Sequence, residues 1–151
     1  EGEWIIAPIK RICSMKSGNS ITGDQIDDHS AYPCFGGNGL RGYTSAYTHD
    51  GVYCLIGRQG ALCGNVVVAR GKFFASEHAV VVSTNNEADT NWLAYVLQRM
   101  NLNQYSESSA QPGLSVTKLL ALELYFPPTA AEQSAIATIL TGMDDEIAAL
   151  E

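Results

Sequence analysis

Short apolar runs separated by glycines dominate the first half of the chain. The runs cover 31–35, 51–57, 65–70 and 79–83 and are rich in Val, Ile, Leu and Tyr. The first run leads into Gly-Gly-Asn-Gly at 36–39, and an Asn-Gly pair is typical of a tight hairpin turn. Short strands punctuated by such turns predict a compact, mainly antiparallel β unit.

The residues before this unit carry a different spacing. Apolar residues recur at helix-like intervals between Ile5 and Ile12, and Pro8 is tolerated only in a first helical turn. We therefore expect a short helix within residues 4–14.

The pattern beyond the β unit predicts one helix, one helical turn and one strand. Asp89 or Thr90 can cap a helix of about three turns that continues to Met100. A polar loop without periodicity separates it from a single helical turn at 115–119 and a strand at 120–126.

The last segment has the pattern of a coiled-coil helix. Thr129 and Glu132 stand three residues apart, as in a capping box in which each side chain bonds the other residue's amide. Apolar residues then recur at spacings of four and three, the heptad pattern of a helix that packs on a partner helix. The seam residues are Ile136, Leu140, Met143, Ile147 and Leu150.

These elements together predict an α+β fold. Residues 1–128 form a compact, mainly antiparallel β-rich domain with a few short helices. Residues 129–151 form a coiled-coil-type helix whose seam provides a spacer or assembly surface, with self-association as one outcome.

Composition limits the class of protein. The chain has 151 residues, of which 46% are apolar, enough for one globular core and too apolar for disorder. No window approaches the roughly 18 uncharged apolar residues of a membrane span, and no signal-peptide pattern is present. We expect a cytoplasmic protein with no membrane partner, and position 1 to be an internal cut.

The cysteines indicate the state of the thiols, and the charge bears on the kind of binding partner. The four cysteines lack C-x₂-C spacing, so we expect reduced, buried thiols in preference to disulfides or a zinc site with His49 or His78. A net charge of −7 argues against a nucleic-acid partner. However, residues 127–151 hold five acids and no base, whereas residues 31–126 hold six of each and can carry a local basic patch.

No catalytic motif emerges from the sequence. Residues 37–42 match G-x-G-x-x-G, but poor helix formers follow them, and a dinucleotide site needs a helix there. The acidic residues and histidine at 24–29 favour a solvated surface over a metal site. His78 beside Glu77 favours a structural role over that of a catalytic base. We expect neither enzymatic activity nor a bound metal.

Long polar side chains in or beside glycine-framed loops are the remaining candidates. Arg, Asn and Gln can make bidentate contacts with base edges, and Lys pairs with phosphate. The candidate DNA-binding residues are Lys16, Asn19, Asn38, Arg41, Arg58, Gln59, Gln111 and Lys118.

Four segments with recognisable motifs occur in a fixed order along the chain. Residues 32–43 are similar to a y-x-x-G-N-G-i-x-G-y segment, and residues 55–60 to an i-G-R-x-G segment. Residues 91–97 look like the helix that follows, and 124–140 are similar to a P-P-x-x-x-E-Q junction into a heptad helix. This order resembles the target recognition domain of Type I restriction-modification specificity (S) subunits.

The resemblance implies a non-catalytic subunit that reads DNA. In this family, two recognition domains each read one half of a split DNA site, and a pair of long helices spaces them. S subunits bind methyltransferase (M) subunits, which hold S-adenosylmethionine, and restriction (R) subunits, which use ATP. This chain carries one recognition domain and the start of one conserved helix, as in a fragment or a half-subunit, and needs no cofactor itself.

The resemblance also ranks the candidate residues. Arg58 and Gln59 in the second segment, with Asn38 and Arg41 in the first, become the foremost DNA contacts. For Arg58 the alternative is a structural pair with Asp50 or Glu77.

Two other functions stay open. One is a protein-interaction or assembly module without DNA binding. The other is the specificity part of a fused restriction-methylase system, which would differ in its partner and not in its DNA chemistry.

Overall fold

The computed structural model of the protein describes residues 2–107 and 113–151. The strands are β1 (Ile5–Pro8), β2 (Cys13–Ser17), β3 (Tyr32–Gly36), β4 (Gly39–Thr44), β5 (His49–Gly57), β6 (Val66–Ala75), β7 (Ala79–Thr84) and β8 (Glu123–Phe126). The helices are α1 (Thr90–Arg99), α2 (Val116–Ala121) and α3 (Ala130–Leu150), and 3₁₀ helices lie at Ile9–Arg11, Gly23–Gln25 and Leu102–Tyr105. The α+β prediction is confirmed.

The strands form two sheets. Six strands are ordered β2-β7-β5-β6-β3-β4, and β1 pairs with β8 in a separate two-stranded sheet. The strand pairs are antiparallel except for the short parallel contact of β3 with β6. The long β5–β6 hairpin, in register from His49↔Phe73 to Ile56↔Val66, forms the centre of the larger sheet.

The larger sheet curls back on itself. Strand β2 is an edge strand, two strands removed from β6, yet the amide of Asn19 just after β2 donates to the carbonyl of Ala75 at the end of β6 (2.9 Å). The Ser76 amide also donates to the Phe35 carbonyl near the end of β3 (3.0 Å). The curl therefore brings the ends of β2, β3 and β6 to one place.

Two groups of buried side chains hold the layers together. One lies between the sheet and the helices and includes Ile56, Leu93 and Leu97. The other includes Leu55 and Phe73. Because side chains alternate along a strand, the neighbours Leu55 and Ile56 enter different cores, so β5 is buried on both faces at this point.

The helix expected within residues 4–14 is wrong. The structure has β1, a 3₁₀ turn and β2 there, because each strand pairs with a distant segment: Ile5 faces Phe126 of β8, and Cys13 faces Thr84 of β7. Isoleucines spaced three or four apart fit a helix locally. Pairing across more than a hundred residues overrides that preference and is invisible in local spacing.

Most of the remaining local predictions fit the structure, but the strand expected at 120–126 begins only at Glu123, because residues 120 and 121 belong to α2. The Asn38-Gly39 turn joins β3 to β4, with Gly39 at φ 81°, a conformation that favours glycine. Asp89 caps α1 by accepting a hydrogen bond from the Trp92 amide (2.8 Å). Helix α2 is capped by Ser115 as expected, although it continues to Ala121, two residues further than predicted.

The cysteines are buried free thiols. Cys13, Cys34, Cys54 and Cys63 are at most 6% exposed. Burial raises the pKa of Cys13 and of Cys54 to about 12, which keeps both protonated at neutral pH.

No helix within residues 2–107 and 113–151 is long and apolar enough to cross a membrane.

Helix α3 packs on the rest of the domain mainly by its first half, and a hydrogen bond extends the contact to Asp144. Its cap is Thr129, whose Oγ1 accepts from the Glu132 amide (3.2 Å). The reciprocal bond of the expected capping box is not formed within the described residues, because the Glu132 carboxylate accepts from the Trp4 indole instead (3.4 Å). Gln133 and Ala137 are buried, and the Tyr95 hydroxyl of α1 donates to the Asp144 carboxylate (2.8 Å).

The predicted seam begins beside the packed face, where Ile136 contacts the core, and its last three residues are exposed. Its first two residues, Ile136 and Leu140, are half-buried. The exposed fractions of Met143, Ile147 and Leu150 are 55%, 58% and 88%. At 100° per residue, the seam is about a quarter turn away from the Gln133–Ala137 face, so the same helix can pack on the domain and on a second helix.

Candidate nucleic-acid interface

Four loops meet at one end of the curled sheet. They are 17–19 after β2, the β3–β4 turn at 36–39, 58–60 after β5, and the β6–β7 turn at 76–78. Contacts between backbone groups, and between side chains and backbone, connect all four. These loops carry Asn19, Asn38, Arg58 and Gln59 among the predicted DNA-binding residues, and Lys16 and Arg41 lie next to them.

Arg58 is held in place from both sides. Its Nη1 donates to the Ser17 Oγ after β2 (2.6 Å), and its backbone N donates to the His78 carbonyl (2.8 Å). Its own carbonyl accepts a hydrogen bond from the Leu114 amide (2.9 Å). Arg58 is half-buried as a residue, and one bond to a hydroxyl leaves most of the five N–H donors of its guanidinium for another acceptor.

The alternative pairing for Arg58 is not formed. Within the described ranges, neither Asp50 nor Glu77 makes an ion pair with Arg58. Glu77 instead accepts from the Ile21 amide (3.3 Å) and lies 3.6 Å from the His78 Nε2. The charge of Arg58 is therefore not neutralised by either predicted carboxylate.

Asn38 is connected to the same site through Asn65. The Asn65 Nδ2 donates to the Asn38 Oδ1 (3.1 Å), while the Asn65 Oδ1 accepts from the Gly57 amide (3.1 Å). One side chain thus ties the β3–β4 turn to the end of β5, immediately before Arg58.

A glycine makes this close approach possible. A Cβ built on Gly57 would lie within 3.0 Å of the Gly37 carbonyl oxygen and of the Asn65 Oδ1. Real Cβ atoms do not come that close, so a residue with a side chain would force the turn away from β5. The glycine framing noted in the sequence therefore has a steric function here.

Arg41 and Gln59 lie at the edges of the site. The Arg41 Cδ is 3.4 Å from the position that a Cβ of Gly36 would take, so the side chain runs along the turn. Gln59 is exposed, and its backbone forms a bridge with Gly113. Both side chains stay accessible to a ligand that approaches the loops.

The weaker candidates divide between the site and its surroundings. Asn19 is exposed beside Ser76 in the site. Lys16 is exposed too, but strand alternation directs it to the face of β2 opposite Ser17. Lys118 on α2 pairs with Glu107 (2.6 Å), and Gln111 lies outside the described residues.

Two residues of the site were missed by sequence reasoning: Ser17 and Asn65. Each acts through a hydrogen bond to a loop that is distant in sequence, and a small polar residue carries no pattern that announces such a bond. Asn65 follows the Gly57–Gly64 loop directly, which is the one available hint. The His78 Nδ1 is buried and has no hydrogen-bond partner within the described ranges.

The acidic segment at 24–29 forms a local turn. Asp27 accepts hydrogen bonds from the Ser30 hydroxyl (2.6 Å) and from the amides of His29 and Ser30, and these lower the pKa of Asp27 to about 2. No cluster of three His, Cys, Asp or Glu residues suited to a metal is found in the part of the chain that the structure describes. The carboxylate of Asp27 is thus engaged in shaping its own loop.

Comparison with known proteins confirms the family that the motif order suggests. Residues 1–151 match the Type I restriction modification DNA specificity domain, so the chain belongs to that family. This is a family of specificity domains, which agrees with the expectation that the chain is not an enzyme.

Two individual relatives of the chain are also specificity subunits by name. The chain is 50% identical over 137 residues, 88% of its length, to the specificity subunit of the Type I restriction enzyme EcoprrI from Escherichia coli. It is 28% identical over 114 residues to a specificity subunit described as putative from Haemophilus influenzae. The chain spans about a third of the length of these relatives, 34% and 29% respectively.

Solved structures share the fold. The S subunit of a Type I system from M. genitalium superposes with a TM-score of 0.84 at 22% identity, over 97% of this chain and 40% of that one. The HsdS subunit from Thermoanaerobacter tengcongensis gives a TM-score of 0.71 at 18% identity, over 98% and 39%. At these identities the likeness concerns the fold alone.

Proposed function

We propose that this chain reads one half of a bipartite DNA site as the recognition module of a Type I specificity subunit. The observation that carries the proposal is the meeting of Asn38, Arg58 and Gln59, from two glycine-framed loops, at one end of the curled sheet. The Arg58 and Gln59 side chains can form paired hydrogen bonds with base edges, and the Asn38 amide can donate to an acceptor on them. Rigid loops that present such groups together are suited to direct readout.

The negative net charge of the chain is compatible with this proposal because of where the acidic and basic residues lie. Five of the sixteen acidic residues lie on 127–151, mainly in the distal part of α3, and the site contributes Arg41 and Arg58 against one carboxylate, Glu77. A local positive patch can contact phosphates while the overall charge stays negative.

Replacement of the matching segment in the E. coli relative provides the direct test. This chain would be placed in that specificity subunit, expressed with its methyltransferase subunit, and the methylated sites of the host sequenced. We expect the complex to methylate a defined bipartite site in which the half read by the other recognition domain is unchanged. A complex that assembles but whose methylated sites show no defined sequence in the half assigned to this chain would contradict the proposal.

Substitution of Arg58 tests the residue assignment. In the same complex, Arg58→Ala should reduce discrimination of the cognate base by about 1–3 kcal/mol, with stability changed by no more than about 1 kcal/mol. Arg58→Lys should not restore it, because an ammonium group cannot form the two-pronged bond. Methylation rates on cognate and single-base-variant sites measure the effect.

The matched control for Arg58 is Arg99→Ala, which removes the same charge from the exposed end of α1. We expect it to leave discrimination unchanged. Arg58 is purely structural if its alanine variant melts several degrees lower while the complex methylates its normal site at the normal rate.

The exposed seam of α3 supports the assembly part of the proposal. Met143, Ile147 and Leu150 form an apolar stripe that a second helix would cover. We assign to this helix the roles of spacer and of docking surface for M subunits, with R subunits joining in the full complex. S-adenosylmethionine and ATP then belong to those subunits, and the complex works in the cytoplasm.

Self-association of the isolated chain follows from the same stripe. Sedimentation velocity should show a concentration-dependent dimer for the full chain, and a monomer for Met143→Glu with Ile147→Glu. Both substitutions replace exposed residues and leave the packed face of α3 intact. A chain that stays monomeric at high concentration would contradict self-association through this seam.

A further inference from the structure

We propose that Asn65 is a positioning residue that fixes the side-chain amide of Asn38, so that Asn38 presents its NH₂ group to DNA. This inference rests on the proposed function, and it names the hydrogen-bonding character that one position of the site can read. Asn65 itself does not need to touch DNA.

The orientation of both amides follows from one backbone group. The Gly57 N–H can only donate, so the Asn65 atom facing it (3.1 Å) must be the oxygen, Oδ1. The other end of that amide, Nδ2, then faces Asn38. Because Nδ2 can only donate, the Asn38 atom that receives it (3.1 Å) must in turn be Oδ1.

Asn65 is itself well anchored. The single Gly57 N–H is shared between the Asn65 Oδ1 and the Asn65 backbone carbonyl (3.0 Å), and β6 begins at the next residue, Val66. The half-buried Asn65 therefore moves with the sheet, whereas Asn38 is exposed at the tip of a turn. Asn65 therefore sets the orientation of the Asn38 side-chain amide, and not the reverse.

Asn38 should therefore prefer a hydrogen-bond acceptor on the DNA base that it contacts. With its Oδ1 held by Asn65, the two N–H groups of the Asn38 Nδ2 are available to a ligand. In the major groove they match purine N7, guanine O6 or thymine O4, and they do not match the cytosine amino group.

Asn65→Asp should reverse this preference. The carboxylate has nearly the same shape and still accepts from Gly57, but its second oxygen cannot donate. The Asn38 amide then turns to donate its Nδ2 inward, which leaves its oxygen outward to accept from an adenine or cytosine amino group. The test uses the full chain and a pool of randomised duplexes at low salt, with sequencing of the bound fraction.

At one base position we expect the relative affinity for acceptor and donor bases to change by about tenfold. The added negative charge should lower affinity for all duplexes equally, and Asn86→Asp, in an exposed loop, is the control for charge alone. An unchanged base preference in Asn65→Asp would overturn the inference.

A double-mutant cycle separates positioning from other effects. In an Asn38→Ala background, Asn65→Asp should no longer alter the preference at that base, because the residue through which it acts is gone. The same change in both backgrounds would show that Asn65 does not act through Asn38.

Measurement on the free protein keeps this inference distinct from the proposed function. NMR of the side-chain amides should show the Asn38 NH₂ shifted and more protected from exchange in Asn65→Asp than in the wild type. If the wild-type chain selects no sequence from the pool, the proposed function fails while the NMR result still decides the positioning. An unaltered Asn38 NH₂ signal refutes the positioning.

Discussion

Gln133→Ala should lower the free energy of unfolding by about 3–5 kcal/mol, the largest effect that we expect from a single side-chain truncation in this chain. Gln133 is fully buried near the start of α3. Its Oε1 accepts from the Asp89 amide (2.8 Å), and its Nε2 donates to the carbonyls of Glu87 (3.0 Å) and Pro127 (3.1 Å).

The reason for so large an effect is that three backbone groups depend on one amide. Alanine leaves the Asp89 N–H and two carbonyls without their partner in a buried place, and each unsatisfied group costs about 1–3 kcal/mol unless water enters. These groups belong to the loop before α1 and to the end of β8. Gln133 thus fixes α3 relative to two other elements at once.

Two variants separate the contributions. Gln133→Met keeps the volume and removes the hydrogen bonds, so it should recover only the packing part of the loss. Gln98→Ala removes a glutamine whose bond to the Val66 carbonyl is exposed and long (3.3 Å), and it should cost below about 1 kcal/mol. Urea unfolding followed by circular dichroism measures all three. A Gln133→Ala variant as stable as Gln98→Ala would contradict this role.

Local elements of this fold were predictable where the signal lies within a few residues. The turn at Asn38-Gly39 depends on a glycine that can adopt a positive φ, and the start of α1 depends on the carboxylate of Asp89 three residues before the amide that it caps. Such interactions leave a direct trace in the order of residue types. The start of α3 at Thr129 was predictable for the same reason.

Strand β1, at the beginning of the chain, could not be predicted from such local signals. Strand β1 exists because β8, more than a hundred residues later, offers a pairing partner, as at Ile6↔Tyr125. Spacing of isoleucines alone favoured a helix. Local spacing contains no information about which distant segment will pair with it.

In the candidate site, too, the residue types were predictable from the sequence, whereas their arrangement in space was not. Arg58 and Asn38 were identified individually because long polar side chains between glycines are conspicuous. Their meeting depends on the curl of the sheet, and their orientation depends on Ser17 and Asn65, which form bonds across 41 and 27 residues. Residue types indicate what a site can bind, whereas the sheet determines which of them act together.

The steric role of Gly57 gives the second large expectation. The β3–β4 turn and the end of β5 touch through backbone atoms, and the Asn65 side chain fills the remaining space. An added methyl group would meet the Gly37 carbonyl, a backbone atom that cannot rotate away. The turn must therefore shift as a unit, and with it Asn38.

Gly57→Ala should accordingly destabilise the protein by about 3 kcal/mol and abolish base selection by Asn38 and Arg58 together. The control is Gly23→Ala, where nothing lies within 4 Å of the new Cβ and stability should change by less than about 0.5 kcal/mol. Urea unfolding gives the stability, and selection from randomised duplexes gives the base preference. A Gly57→Ala variant that unfolds like Gly23→Ala and selects the wild-type sequence would show that the two loops need not touch. If Gly57→Ala loses base selection but keeps full stability, the methyl group only displaces the loops. The fold then tolerates the methyl group, whereas the site does not.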